Sequence, residues 1–237
     1  MKFGVFDHLD DAGAPLGALY ADRLQFAEAL DRGGFHAYHL AEHHGTPLGM
    51  AASPGIFLSA LAQRTRTLRF GPMVYLLPFY HPLRLIEEVC MLDQMSGGRF
   101  ELGVGRGVSP FETANYSLDF AQTQAMYHEA FQVLLKGLDT EELNFEGKFY
   151  RFSKVPMLLH PLQRPHPPLY LGGSSPAAHD VAARDADVYL SWGEPPQAVA
   201  AMLEAAQTVM EADGRLDPAE ARLMAELREE LSKLPTR

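Results

Sequence analysis

The chain has one cysteine, Cys90, and one tryptophan, Trp192, in 237 residues. A single thiol can neither close a disulfide within the chain nor build a cysteine-based metal site. It suits a reducing compartment, so a cytoplasmic protein is expected. Basic residues are also scarce: 20 Lys and Arg stand against 30 Asp and Glu, for a formal net charge of -10. Such a chain repels phosphate backbones and has no basic stripe, which argues against nucleic acid as a partner. Its densest basic cluster, Arg64-Thr65-Arg66-Thr67-Leu68-Arg69, reads as the close of a helix, where cations are favoured. Long apolar runs are missing too. The longest, around residues 72–80, is far too short to span a bilayer. The opening Met1-Lys2-Phe3-Gly4-Val5-Phe6-Asp7 reads as a strand and not as a signal-peptide core, so no membrane association is expected.

What is present is an alternation of short apolar runs and amphipathic stretches. Strands are expected at 3–6, 36–41, 68–76, 100–105, 169–171 and 187–191. Between them lie helical patterns, among them 54–63 and 82–95, the first opening on proline and the second stopping at Ser96-Gly97-Gly98. Residues 108–121 read as a loop, 122–138 as a helix, and 144–152 as a hairpin turning at Glu146-Gly147. Helices follow at 176–184 and 196–210. Successive βα units of this kind predict parallel strands with right-handed crossovers. The fold class is therefore α/β, a TIM-type barrel, with a doubly wound sheet as the alternative. A complete eightfold barrel takes about 250 residues, so an incomplete barrel of about six units is expected over residues 1–210. Residues 211–237 are dense in charge and form a helical extension, with Asp217-Pro218-Ala219-Glu220 as its N-terminal cap.

Glu42-His43-His44 follows the second strand, where α/β barrels keep their chemistry. Three readings are open for His43: a proton-transferring base, a metal ligand, or a polar loop residue. A metal cluster with His36 and His39 is disfavoured, because strand alternation points those two to opposite faces. Two anion sites are suggested further on. Gly103-Val104-Gly105-Arg106-Gly107-Val108 brings an arginine among glycines at a strand end. Gly172-Gly173-Ser174-Ser175-Pro176 runs from a strand into a helix, and either caps that helix or holds an anion on its first turn. The first is neither a Walker A loop nor a dinucleotide fingerprint.

Taken in order, Met1-Lys2-Phe3-Gly4, Leu40-Ala41-Glu42-His43-His44, the run from Leu92-Asp93-Gln94-Met95 through Val104-Gly105-Arg106-Gly107, and Leu190-Ser191-Trp192 resemble the bacterial-luciferase-like flavin-dependent monooxygenases. The resemblance covers about residues 1–195. It implies a luciferase-like barrel holding flavin mononucleotide (FMN) at the strand C-termini. A separate flavin reductase would supply the reduced form, and O2 would react through a C4a-hydroperoxide to oxygenate a small organic substrate. It makes His43 the base. It makes Arg106, Val108, Gly173 and Ser174 phosphate contacts, lays Met73 and Val74 beside the isoalloxazine ring, often through a cis peptide, and places Trp192 near the flavin. Phe111, Tyr116 and Phe120 would wall an apolar substrate pocket. A homodimer is also implied. Gln124 stands where the family usually has a second phosphate-clamping arginine, and the chain stops before the last two βα units of a typical member. Two alternatives follow: hydride transfer with the deazaflavin F420, used by relatives of this fold, and a flavin-binding protein that has lost catalysis.

Overall fold

The structure, a computed structural model, describes residues 2–173 and 176–190 together with 199, 225 and 229. Met1–Leu190 form one compact unit and Ser191–Arg237 a second. The expected boundary at 210, the helix at 196–210 and the charged extension fall outside the described residues.

Strand β1 (Gly4–Asp7) leads through α1 (Leu16–Arg32) to β2 (Ala37–Leu40), and α2 (Pro54–Arg64) leads to β3 (Arg69–Pro72) and β4 (Tyr75–Leu76). Helix α3 (Pro82–Ser96) precedes β5 (Leu102–Gly105). A long excursion follows, with α4 (Pro110–Asn115), α5 (Thr123–Leu138) and the antiparallel hairpin β6 (Glu142–Glu146) and β7 (Arg151–Pro156). The chain then returns as β8 (Leu169–Gly172), α6 (Pro176–Asp185) and β9 (Val188–Leu190).

Apart from the hairpin, every strand pairing is parallel, in the orders β1-β2-β3 and β4-β5-β8-β9. A parallel bridge between Phe70 and Phe100 brings β3 beside β5. Neighbours in space thus follow chain order, without the reversal that defines a doubly wound sheet. This is the strand progression of an α/β barrel. The expected single strand at 68–76 is broken between β3 and β4, and the Met73-Val74 peptide there is cis. The backbone partner changes at this point. β3 pairs with β2 as far as Pro72 opposite Leu40, where β2 ends, and β4 pairs with β5.

Side chains alternate along each strand, and the two faces differ in chemistry. One face carries Tyr38, Leu40, Phe70, Leu102, Val104, Leu169 and Leu171, all buried in a core shared with Phe57, Leu58, Leu61, Leu85, Ile86 and Val89 of α2 and α3. Burying each such side chain contributes about 1.5–3 kcal/mol. The other face carries His39, Glu101 and Tyr170, interspersed with Gly71, Gly103 and Gly105. There Glu101 accepts from Arg69 Nε and lies 2.8 Å from His39 Nε2. Burial would raise the Glu101 carboxyl, but these two partners hold it below its usual range. Arg69 is thus a sheet residue and not the helix-closing cation expected of its cluster, whereas Arg64 does end α2 and pairs with Glu28 at 3.0 Å.

The base of the sheet is tied by Asp31, at the end of α1. Its carboxylate accepts from the N–H groups of Arg66, Thr67 and Leu68 and from the Thr67 hydroxyl. Burial acts to raise this carboxyl, yet the four hydrogen bonds outweigh it and bring it down to about 2. A folded-state value below the unfolded one stabilises the fold above the unfolded value of about 3.9. That contribution is lost as pH falls from there through about 2. Asp31→Ala is expected to cost about 2 kcal/mol at neutral pH and to flatten the stability profile between pH about 4 and 2. Urea unfolding across that range checks both.

Candidate active site

The C-terminal ends of the parallel strands carry five of the described residues that the sequence singled out: His43, Met73, Val74, Arg106 and Gly173. His43 follows β2, Met73 and Val74 lie between β3 and β4, Arg106 ends β5, and Gly173 ends β8. Strand pairing keeps these ends along one edge, through Leu40 opposite Pro72, Leu76 opposite Gly105 and Gly172 opposite Leu190. Ser174 and Trp192 lie outside the described residues.

His43 is partly exposed, and its Nδ1 lies 3.1 Å from Oε1 of Glu112, which is buried. The His8 ring stacks against it at 5.5 Å, and Gly49 packs so closely that a Cβ there would lie 2.9 Å from the His43 Cβ. Glu112 was missed in the sequence because residues 108–121 read as a loop. The structure forms α4 there. Ser109 caps it by accepting from Glu112 N–H at 3.2 Å, with Pro110 in its first turn. Ser109-Pro110-Phe111-Glu112 has the spacing of a capping box and was the available signal. The carboxylate that a capping box would turn back to its own cap here reaches His43 instead.

His44 belongs to a second network. Glu42 is buried, its Oε1 lies 2.7 Å from His44 Nε2, and its Oε2 accepts from Leu76 N–H at 3.2 Å and the Tyr80 hydroxyl at 2.9 Å. Glu42 thereby satisfies a backbone donor in β4, just beyond the break in the third strand. Burial pushes its carboxyl above the usual range, against the pull of those hydrogen bonds. His44 Nδ1 lies 2.7 Å from the Tyr116 hydroxyl. Tyr116, expected as an apolar wall, is thus a polar partner of His44. Among the described residues no group of three or more His, Cys, Asp or Glu is arranged to hold a metal ion. His39 and His43 belong to separate glutamate contacts.

Arg106 reaches away from the sheet. Its guanidinium lies 4.9 Å over the Phe120 ring and 3.5 Å from Thr123 Oγ1. Among the described residues no carboxylate lies within ion-pairing distance of it. Gln124, one residue on in α5, is exposed, and its amide nitrogen is 2.7 Å from His128 Nε2. Val108 is exposed. Gly173 has φ +149, and its carbonyl accepts from the Tyr189 hydroxyl at 2.7 Å. The strand ends are lined by glycine where side chains would collide: a Cβ on Gly105 would lie 2.5 Å from Val74 Cγ2, and one on Gly103 would strike the Pro72 carbonyl. The edge thus combines a guanidinium with no carboxylate partner among the described residues, an imidazole backed by a buried carboxylate, and glycines over which the Val74 side chain packs. Among the described residues no helix is long and apolar enough to cross a membrane.

A family model described as luciferase-like monooxygenase matches residues 1–228. The chain is 49% identical over 183 residues to the protein y4wF of Sinorhizobium fredii, covering 77% of this chain and 54% of that one. It is 29% identical over 189 residues to the oxygenase component of the flavin-dependent trigonelline monooxygenase of Acinetobacter baylyi, covering 78% and 52%. The chain therefore spans about half the length of these curated relatives. Among solved structures, monooxygenase RslO1 from Streptomyces bottropensis matches with a TM-score of 0.81 at 29% identity, over 100% of this chain and 68% of that one.

Proposed function

Because the chain belongs to the luciferase-like monooxygenase family, we propose that it is the oxygenase part of a flavin-dependent monooxygenase that receives reduced FMN from a separate reductase. The observation that carries this reading is the pairing of His43 with Glu112 on the strand edge that also presents Arg106. Reduced FMN, when bound, supplies two electrons to O2, so that one oxygen atom passes to a small organic substrate and the other leaves as water.

The donor set fits such a cofactor. A phosphate needs a cation and neutral donors, and Arg106 offers the first while Thr123, Gln124 and the backbone around Val108 and Gly173 offer the second. Ser174 would join them. Gly103 and Gly105 let the Val74 side chain pack close against β5, which would hold Met73 and Val74 in place beside a planar ring. His43 turns Nδ1 toward Glu112, so Nε2 is the nitrogen left to take or give a proton near the reacting atoms. Glu112 fixes the ring and its tautomer, as a buried carboxylate does for a catalytic imidazole. The name of the Acinetobacter baylyi relative, an oxygenase component, supports a reductase partner.

Arg106→Ala tests the phosphate assignment. Charge-assisted hydrogen bonds are worth about 1.5–3 kcal/mol each, so FMN should bind roughly ten- to a hundredfold more weakly. Riboflavin, which lacks the phosphate, should bind the two proteins alike. Equal loss for both flavins would remove Arg106 from the phosphate site. Parallel titration with F420 separates the two cofactors, and tighter binding of F420 than of FMN would replace this reading by hydride transfer.

A further inference from the structure

We infer that Tyr116, His44 and Glu42 form a second proton-transfer chain at this site, one that delivers protons through the Tyr116 hydroxyl. The inference rests on the oxygenase reading for the fate of the proton, and on geometry alone for the wiring.

The hydrogen-bond inventory leaves few choices. Glu42 Oε2 already accepts from Leu76 N–H and the Tyr80 hydroxyl, so it carries no proton. One proton lies between Glu42 Oε1 and His44 Nε2, 2.7 Å apart. Another lies between His44 Nδ1 and the Tyr116 oxygen, also 2.7 Å apart. With a neutral ring protonated at Nε2, the Tyr116 O–H donates inward to Nδ1. A proton taken from solvent at the exposed Tyr116 hydroxyl, and passed inward to Nδ1 by the same exchange in reverse, makes both ring nitrogens donors. Nδ1–H then donates to the Tyr116 oxygen, and the phenolic hydrogen is free to turn outward. In that state Tyr116 gives its proton to an acceptor in the site as it takes the Nδ1 proton. The O–H bond that breaks is replaced by the one that forms, and the ring returns to neutral.

The concerted path matters because a bare phenolate is unfavourable here. Burial, with Glu42 and Glu112 nearby, raises the Tyr116 hydroxyl above its ordinary value. The inner end of the chain is sealed, and its outer end is open: Glu42 is 3% exposed and Tyr116 is 45% exposed. The Tyr116 ring lies flat on Phe79 at 4.6 Å, and the His44 ring stands edge-on to both, so the phenol has one orientation. The ionisable groups that act on the chain are Glu112 from α4, Tyr80 beside Glu42, and Glu88 of α3, which acts on Tyr80. Glu112 is itself committed to His43, so the two histidines serve separate proton routes.

The test uses the full chain with nitrogen-labelled histidine, as wild type, Tyr116→Phe and Glu42→Gln. Ring-nitrogen spectra should show neutral His44 protonated at Nε2. Tyr116→Phe and Glu42→Gln should each displace its protonation curve while leaving that of His39 in place. Neutral His44 protonated at Nδ1, or a curve indifferent to Tyr116, would overturn the chain. The second readout mixes protein-bound reduced FMN with O2 and follows return to oxidised flavin and release of hydrogen peroxide against pH. Tyr116→Phe should change that rate about tenfold or more on the acid limb, with FMN affinity within about threefold. An unchanged profile would overturn proton delivery. If wild-type protein fails to bind reduced FMN, the oxygenase reading falls, and the nitrogen spectra still decide the wiring.

Discussion

Replacing His43 by alanine is expected to cut oxygen transfer by about 10²–10⁴-fold, the range that a positioned acid or base contributes. The substitution removes the imidazole and leaves Glu112 buried without its partner. FMN affinity should stay within a few-fold, because the proposed phosphate contacts lie on other elements. Oxygen no longer passed to substrate should appear as hydrogen peroxide. The measurement is the partition between oxygenated product and peroxide when reduced FMN, O2 and an accepted substrate are mixed with each protein. His43→Gln refines it: the amide keeps a hydrogen bond to Glu112 but moves no proton, so a base role predicts little recovery and a positioning role predicts much. Unchanged partition in His43→Ala would take His43 out of the chemistry and leave the Tyr116 chain as the proton route to test.

The largest effect on stability is expected at Gly71. It lies in β3 beside β5, and a Cβ there would run into the carbonyl of Glu101. The obstacle is backbone and not the end of a side chain, so relief requires the strands to part. That movement would disturb the Phe70–Phe100 bridge and the contacts of Glu101 with His39 and Arg69 on the same sheet. Gly71→Ala should therefore destabilise by about 3 kcal/mol or more, the upper range for overpacking. Gly17→Ala is the contrast. It lies in α1, with nothing within 4 Å of a new Cβ. Alanine there should stabilise by up to about 1 kcal/mol through helix propensity. Urea midpoints at unchanged slope compare the two. A Gly71→Ala protein as stable as wild type would show that β3 and β5 have slack at this approach.

Much of the fold was legible because its signals are local. Apolar runs with β-branched and aromatic residues marked the strands, and Ser96-Gly97-Gly98 marked the end of α3, where Gly97 adopts φ 69 and its N–H meets the carbonyls of Asp93 and Gln94. The break within the third strand was not legible. It goes with the end of β2 at Leu40 and with a carboxylate from Glu42 reaching Leu76, residues 34 apart. The short helix α4 carries its capping signal, Ser109 to Glu112, in a stretch rich in turn residues that masks it. The place of Arg69 was not legible either, because a cluster of arginines reads the same whether its members face solvent or a buried glutamate.

By itself the sequence determined an acidic chain with one thiol, the alternation of strand and helix, and the family to which the motifs at residues 40–44 and 92–107 belong. Those properties live in composition and in spacings of a few residues, which a linear reading preserves. Only the tertiary structure decided which of two adjacent histidines meets which carboxylate. His43 turns to Glu112, 69 residues away, while His44 bridges Glu42 to Tyr116, 72 residues away. The physical reason is that hydrogen bonds are directional and short, so a one-residue step that changes which way a side chain points also changes its partner and its proton chemistry.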